Sequence, residues 1–336
     1  DGLLMMMSEE QFDDVINIKC NNKKKTKPHI DLLREELKNL DSSILDEQYV
    51  VVEKNNSQQE KKPFDKEAWI KRVQEERKTA YETMDRVAQE IVQDTDKFKT
   101  YLDVQGRLDK YSVGNALLIT DKMPNATQLK DYSDWKEIGA SIKGGQKSII
   151  ILEPGDQYTR ADGTTATSYN PKKVFDISQT TARPLVKQNI DDKTKLTALV
   201  TDCPVDPKIV DSISNSNRLA EWNKEDNVLY ISKTDDIQKA FREVATELAR
   251  IGMEESNNPE LDNFKCKCTA YMLCKKYGVE VSSIDINTIP DSLKTMSASE
   301  IRNELTSMRS SMSDINSRMT QHFEKVSKQK NREHER

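Results

Sequence analysis

The carboxyl-terminal part of the chain carries an apolar heptad stripe, which constrains the fold more than any other sequence feature. Apolar residues recur there at alternating steps of four and three. They are Ile301, Leu305, Met308, Met312, Ile315 and Met319, followed by Phe323 or His322 and then Val326. This spacing predicts a helix of about 28 residues with one apolar face. Such a face either docks on the chain's own domain or forms a coiled-coil homodimer, and three methionines specify that pairing weakly.

The first folded region is predicted to begin with helices and to continue with a hairpin. Asp65 follows Pro63 and acts as the N-cap of a long helical pattern, and a second helix is expected from about Lys97 to Lys122. The extended segments that follow are a strand at Ser148 to Leu152, a hairpin from Tyr158 to Ser168 around Ala161-Asp162-Gly163, and a strand at Lys173 to Ile177.

A second folded region is predicted after a polar, turn-rich linker at residues 189–207. Residues Asn227 to Ser232 have the alternation of a strand and precede a helix from about Ile237 to Met253. Another helix is expected from about Pro259 to Tyr277, because Gly278 stands in the position of a helix C-cap. The predicted fold class is therefore α+β.

Composition divides the chain further. Charged residues make up 32% and hydrophobic residues 35%, so part of the chain is expected to lie outside a packed core. We predict a flexible polar leader at residues 1–62, with one short amphipathic helix at about Ile30 to Leu40. Folded domains are predicted at residues 63–187 and 188–295, followed by a carboxyl-terminal amphipathic helix and tail at residues 296–336.

The chain is expected to be soluble and cytoplasmic. No export signal is visible, no uncharged apolar run approaches the length needed to cross a bilayer, and five scattered cysteines fit a reducing compartment. The formal net charge of −5 argues against coating nucleic acid by net charge alone, but it is compatible with a local basic groove.

A series of spaced sequence blocks lies between residues 98 and 180. The blocks are Phe98, Tyr101 and Leu102, then RLDKYSVGNALLI from Arg107, MPNAT from Met123, Trp135 with Ile138 and Gly139, KGGQKSIIILEP from Lys143, and VFDISQT from Val174. Their order resembles the ArdC-like amino-terminal domain of antirestriction and conjugation-associated proteins from plasmids, phages and integrative elements. The resemblance implies binding of single-stranded DNA. Composition alone would not indicate it, since residues 97–155 contain nine basic and seven acidic residues.

Candidate DNA-binding residues lie within these blocks. They are Arg107, Lys110, Tyr111, Asn115, Trp135, Lys143, Lys147 and Gln179. Tyr111 and Asn115 share a helix face and either point into a groove or serve the core and cap a neighbouring strand. Trp135 is either a stacking platform or a core anchor. Gly144-Gly145 with Lys147 either approaches a phosphate or forms a plain turn. The block that contains Phe175, Asp176 and Gln179 either serves the structure alone or contacts DNA, with Gln179 as the polar contact.

The helix FREVATELARIGM, from Phe241, bears on enzymatic activity. In many relatives of this architecture a zincin-like metallopeptidase domain follows, with an HEXXH motif on one helix. The matching pentapeptide here is TELAR: Thr246 and Arg250 stand at the ligand positions, Glu247 at the general-base position, and Lys267 at the position that matches the third ligand. Thr, Arg and Lys are not normal zinc ligands. The resemblance therefore implies a degenerate domain that binds no metal and has no catalytic activity.

Two further expectations concern this region. Without a metal, Glu247 needs a positive partner, and we predict an ion pair with Arg250 or Lys267. The histidines, His29, His322 and His334, are far away in sequence, and Cys266, Cys268 and Cys274 lack the spacing of a metal knuckle, so buried or spare thiols are expected.

The resemblance thus implies a non-enzymatic protein of a mobile genetic element. It would bind single-stranded DNA, without a cofactor or membrane, to protect transferred DNA or to counter host defence. The alternative is a protein-binding inhibitor or adaptor of a host defence or conjugation complex. A positive groove with Tyr111 or Trp135 exposed would favour DNA, whereas buried aromatic rings and an apolar patch along Ile301 to Met319 would favour a protein partner.

Overall fold

The computed structural model describes residues 65–160, 163–184, 190–213 and 217–334, with side chains described as far as residue 329. Residues Asp65–Arg336 form one compact unit. The predicted leader at residues 1–62 and its short helix lie outside the described residues. Helices and two small sheets make up the unit, so the predicted α+β class is confirmed.

Three helices open the unit where the sequence predicts two. Helix α1 spans Lys66–Gln93, and the Asp65 carboxylate caps it by accepting from the Ala68 N–H at 3.0 Å, as predicted. Helices α2, Thr95–Arg107, and α3, Val113–Lys122, replace the single helix expected over this stretch. The prediction of one helix is wrong because Ser112 caps a new helix: its hydroxyl accepts from the Asn115 N–H.

The first sheet is antiparallel, with strand order β1-β3-β2. Strand β1 spans Leu129–Asp131, helix α4 Tyr132–Glu137, β2 Ile149–Thr159 and β3 Thr165–Asp176. The predicted hairpin is confirmed by the pairing of Thr159 with Thr165, although residues 161–162 at its tip lie outside the described part. Both strands are longer than predicted, because polar residues continue the ladder beyond the apolar core.

The second sheet has the order β4-β6-β5, with β4 parallel and β5 antiparallel to the central strand. Helix α5 spans Asp192–Val200, β4 Asp206–Val210, β5 Ala220–Asn223 and β6 Val228–Ser232. Strand β6 agrees with the prediction. The predicted linker is wrong over α5, a helix that Asp191 caps and that buries Ala198 and Leu199.

Two of the remaining helices follow the predicted positions closely, whereas one short helix was not predicted and the last helix has 37 residues where about 28 were expected. Helix α6 spans Ile237–Gly252 and α7 Pro259–Tyr277, where Gly278 adopts a φ of 68° and its N–H donates to the Cys274 carbonyl. A short helix α8, Asp291–Lys294, leads to α9, Ala298–His334.

The heptad stripe of α9 lies in the interior. All six of its predicted seam residues are at most 2% exposed. They belong to one core cluster that also contains Phe98 of α2, Leu229 of β6 and Phe241 of α6. The docking alternative is therefore confirmed. The predicted homodimer is not supported, because Ile301, Leu305, Met308, Met312, Ile315 and Met319 are already buried within their own chain. The predicted domain boundaries stay predictions.

Candidate functional site

Arg107 and Tyr111, two of the predicted DNA-binding residues, fasten the chain between α3 and β1. The Arg107 guanidinium donates to the Ala126 carbonyl at 2.7 Å and to the Pro124 carbonyl at 2.5 Å. Tyr111 is half-buried, and burial raises the pKa of its hydroxyl above the usual value. The neighbouring Lys110 is exposed. Of this group, Lys110 extends into solvent while Arg107 is committed to backbone oxygens.

Asn115 and Trp135 lie in the interior, each with a structural hydrogen bond. The Asn115 amide donates to the Leu152 carbonyl at 2.9 Å and accepts from the Leu152 N–H at 2.8 Å, so it caps the outer edge of β2. Trp135 is 1% exposed, and its indole N–H donates to the Phe175 carbonyl at 2.9 Å. The strand-capping and core alternatives are confirmed. A stacking platform at Trp135 is wrong, because no ring face reaches the surface.

We call residues 143–147 the glycine loop. All five are exposed, and Gly145 has a φ of 74° that favours glycine. Gln179 is buried and holds both ends of the loop. Its side-chain amide donates to the Lys147 carbonyl at 2.9 Å, and its backbone carbonyl accepts from the Lys143 N–H. The Lys143 ammonium donates to the Ser178 carbonyl, while within the described residues the Lys147 ammonium has no hydrogen-bond or ion-pair partner. The loop therefore presents two cations on a fixed base.

Asp176 ties the end of β3 to the chain around it. Its carboxylate accepts from the N–H groups of Thr127 and Gln128, at 2.6 and 2.9 Å, and from the N–H and hydroxyl of Ser178, at 2.9 and 2.6 Å. Burial by itself would raise the pKa of this carboxyl, but the hydrogen bonds outweigh burial and lower the pKa below its usual value. The structural alternative for this sequence block is confirmed.

Four tyrosines that the sequence did not single out present their rings to solvent, and one of them, Tyr81 of α1, is 44% exposed. Tyr132 of α4 is 61% exposed, and Tyr158 and Tyr169 of the β2–β3 hairpin are 50% and 41% exposed. Nothing in the residue pattern distinguishes these rings from buried ones. Neither of the exposed surfaces that would separate a DNA partner from a protein partner is present at these positions. Trp135, whose exposure would favour DNA, is buried, and the apolar stripe of α9, whose exposure would favour a protein partner, is also buried.

The four residues predicted for the degenerate metal site converge. Thr246, Glu247 and Arg250 of α6 and Lys267 of α7 all line one cleft of about 470 Å³, which we call the cationic cleft. Its lining contains five cationic side chains: Arg218, Lys239, Arg242, Arg250 and Lys267. It contains three carboxylates: Glu243, Glu247 and Asp285.

Glu247 is held at the base of the cationic cleft by three donors. Its buried carboxylate accepts from the Arg218 guanidinium at 2.5 Å and from the Trp222 N–H at 3.3 Å, and lies 3.5 Å from the Arg250 guanidinium. The predicted ion pair with Arg250 is confirmed. The shorter one, with Arg218, was missed, because 29 residues separate the partners and no local spacing links them.

The residues of the cationic cleft do not fit a divalent metal ion. No imidazole lines the cleft, and Glu247 and Glu243 already accept from guanidinium and backbone N–H donors. Over the part of the chain that the structure describes, no group of three His, Cys, Asp or Glu side chains is placed to hold a metal. The neighbouring thiols are free and buried, and burial raises the pKa of Cys266 to about 11 and that of Cys274 to about 12.

Comparison with solved structures identifies the fold. The chain is similar to the metal-free crystal structure of the antirestriction protein ArdC from plasmid R388, with a TM-score of 0.50 and 13% sequence identity over 71% of this chain and 98% of that one. The Mn(II)-bound structure of ArdC gives a TM-score of 0.48 and 14% identity over 70% and 97%. No protein-family model and no curated protein sequence matches. The predicted ArdC-like fold is confirmed.

Among the described residues, no helix is both long enough and apolar enough to cross a membrane.

Proposed function

We propose that this chain binds single-stranded DNA without catalysis, for a mobile genetic element, and serves an antirestriction role in the cytoplasm. The observation that carries the proposal is the fold shared with a plasmid antirestriction protein across 98% of that protein's length. In this proposal residues 63–187 carry the DNA-binding surface, and residues 188–295 are a degenerate zincin-like scaffold. The mechanism is occupancy: the protein covers the strand and excludes enzymes that would act on it.

The glycine loop is the part of the predicted surface best suited to a phosphate backbone. Its exposed backbone can approach a phosphate closely at Gly144 and Gly145, and the ammonium groups of Lys143 and Lys147 lie at its two ends. Non-specific single-strand binding also needs ring faces, and each stacked base is worth about 1–3 kcal/mol. The exposed ring of Tyr132, on the helix that follows β1, takes the stacking role that the sequence offered as one alternative for Trp135.

The protein-binding alternative loses one of the two surfaces on which it was based. An inhibitor or adaptor of a host defence or conjugation complex was expected to use either the heptad helix or the acidic surface of the chain, and the apolar stripe of that helix is buried in the chain's own core. The DNA proposal keeps three exposed lysines, Lys110, Lys143 and Lys147.

Fluorescence anisotropy with a labelled single strand of roughly 30 nucleotides tests the proposal, since salt sensitivity reports phosphate contacts. The full chain is titrated at two salt concentrations, against the single strand and against the duplex. The double variant Lys143→Glu/Lys147→Glu is expected to bind the single strand at least about tenfold more weakly. Its salt slope should fall by about 1.4, because each phosphate contact on a single strand contributes about 0.7.

The matched control is the double variant Lys193→Glu/Lys328→Glu, which changes the net charge equally at exposed positions on α5 and α9. It should bind like the unaltered chain. Equal losses in both double variants would indicate a general charge effect and would count against the glycine loop. No binding to either DNA by the unaltered chain would overturn the proposed function.

A further inference from the structure

The cationic cleft contains more positive than negative charge. Five cationic side chains and three carboxylates line it, which leaves a formal excess of two positive charges. A concave site concentrates such an excess, since field lines are focused between low-dielectric walls. The charge balance of the cleft is therefore opposite in sign to that of the whole chain, which carries −5.

Two of the three carboxylates are already satisfied by the protein. Glu247 accepts from the Arg218 guanidinium and the Trp222 N–H, and lies beside Arg250. Glu243 accepts from the N–H groups of Leu219 and Ala220, which are backbone donors at the start of β5, and lies 3.8 Å from the Lys239 ammonium. These acids hold β5 against α6 and pair with three of the five cations that line the cleft. Among the described residues, the other two cations have no acidic side chain within ion-pair distance.

The cations opposite them keep donors available. Among the described residues the Lys267 ammonium has neither a hydrogen bond nor an ion pair, and it is only partly exposed. The Arg242 guanidinium donates to one backbone carbonyl, that of Glu280. Arg250 donates to the neutral amide of Asn263 at 3.0 Å in addition to its longer contact with Glu247. Asp285 is the remaining counter-charge on this wall.

We propose that the cationic cleft binds the dianion of a phosphate monoester. Two negative charges match the excess of two positive charges, and guanidinium forks together with a lysine ammonium are the groups that proteins use for phosphate. The volume of about 470 Å³ exceeds what one phosphate needs, so the ligand carries a further group. No aromatic side chain is among the lining residues, so recognition is by the phosphate and does not depend on a stacked base.

This inference is independent of the proposed function. The two sites differ in residues and in geometry, because the glycine loop belongs to the first sheet and the cationic cleft lies between α6, α7 and the segment before β5. The phosphate has two chemical sources: the end of a nucleic-acid strand or a free phosphorylated metabolite. The experiment separates them.

Isothermal titration of the full chain at low ionic strength tests the proposal. The probes are inorganic phosphate, two nucleoside monophosphates with different bases, and a nucleoside without phosphate. We expect similar affinities for both monophosphates, measurable affinity for inorganic phosphate and no heat with the nucleoside. The variant Lys267→Ala should bind phosphate about tenfold more weakly, and Lys267→Arg should recover most of the loss. Lys193→Ala, an exposed lysine outside the cleft, should behave like the unaltered chain.

Competition identifies the source of the phosphate. A 5′-phosphorylated decanucleotide that displaces bound monophosphate, when its 5′-hydroxyl counterpart does not, indicates a strand end; failure of both to compete indicates a free metabolite. The Lys143→Glu/Lys147→Glu variant should keep its monophosphate affinity. Failure of DNA binding through the glycine loop can therefore be distinguished from failure of phosphate binding in the cationic cleft. The proposal is overturned if neither inorganic phosphate nor a monophosphate binds, or if Lys267→Ala binds them as tightly as the unaltered chain.

Discussion

The glycine loop and the cationic cleft present cations in two different ways. In the loop, Lys143 and Lys147 stand on an exposed, convex turn that a buried glutamine supports. In the cleft, Lys267, Arg242 and Arg250 converge on a concave space that contains carboxylates. An open row of cations suits an extended polyanion that makes many weak contacts, whereas convergent cations suit one compact anion. The geometry of the cations, more than their number, separates the two proposed ligands.

The largest predicted effect concerns the buried indole ring on α4. Trp135→Ala should lower the free energy of unfolding by about 3–5 kcal/mol, because it removes a large side chain that is 1% exposed and leaves the Phe175 carbonyl without its donor. Urea denaturation followed by far-UV circular dichroism measures this loss.

Tyr132→Ala on the same helix is the contrasting change. Its ring is 61% exposed, so stability should fall by less than about 0.5 kcal/mol while single-strand affinity falls. A stable Trp135→Ala protein with weakened DNA binding would reverse the roles assigned to the two rings. It would also contradict the assignment of Tyr132 to the DNA-binding surface and of Trp135 to the core.

Helices whose apolar residues recur at steps of three and four could be predicted from the sequence. Their ends could also be predicted where the sequence contains a recognisable capping residue. Helices α6, α7 and α9 lie where the apolar pattern places them, and Gly278 ends α7 as expected. The break between α2 and α3 was missed because apolar residues continue across it, and Ser112 reads as a cap only once the chain is seen to turn there.

Another predicted effect depends on pH and tests whether Asp176 stabilises the base of the glycine loop. The hydrogen bonds that Asp176 accepts hold the pKa of its carboxyl below the unfolded value, so the stabilisation is fully present above about pH 4 and is lost as the pH falls through the folded pKa. Asp176→Asn should cost about 2–3 kcal/mol at pH 7, since an amide nitrogen cannot accept from the N–H donors.

The measurement compares urea unfolding of the two proteins between pH 7 and pH 3. The unaltered chain should lose more stability than the Asn variant over this interval, so that the two curves approach each other at low pH. Asp134→Asn provides a control on the neighbouring helix, because no side-chain hydrogen bond of Asp134 is present among the described residues. Parallel curves of stability against pH for the unaltered chain and Asp176→Asn would show that this carboxylate does not stabilise the base of the glycine loop.

The candidate sites differed in how far the sequence could specify them. Thr246 and Glu247 each share a helix face with Arg250, because they precede it by four and three residues, and Lys267 joins them from the next helix. Arg218 could not be found, since its approach to Glu247 depends on how β5 packs on α6. In the first region, Arg107, Asn115 and Gln179 satisfy backbone groups, a use that residue type alone does not distinguish from ligand contact.

The last predicted effect tests the charge balance of the cationic cleft. Glu247→Gln keeps the shape of the side chain but removes one negative charge, so Arg218 and Arg250 lose their ionised partner. Stability should fall by about 1–2 kcal/mol, the scale of a hydrogen bond to a charged group. Phosphate affinity should rise about fivefold, because a unit charge within roughly 10 Å contributes on the order of 1 kcal/mol near a protein surface.

Isothermal titration with inorganic phosphate measures the affinity, and Glu225→Gln, an equal charge change at an exposed turn, is the control. The comparison is informative because the two roles of Glu247 have opposite consequences. A residue that only lowers the local positive charge gives tighter phosphate binding when it is neutralised. A residue whose ion pairs position Arg250 for the ligand gives weaker binding, because the guanidinium is no longer held. A fall in affinity for Glu247→Gln, with Glu225→Gln unchanged, would therefore make the carboxylate part of the binding geometry and not merely a counter-charge.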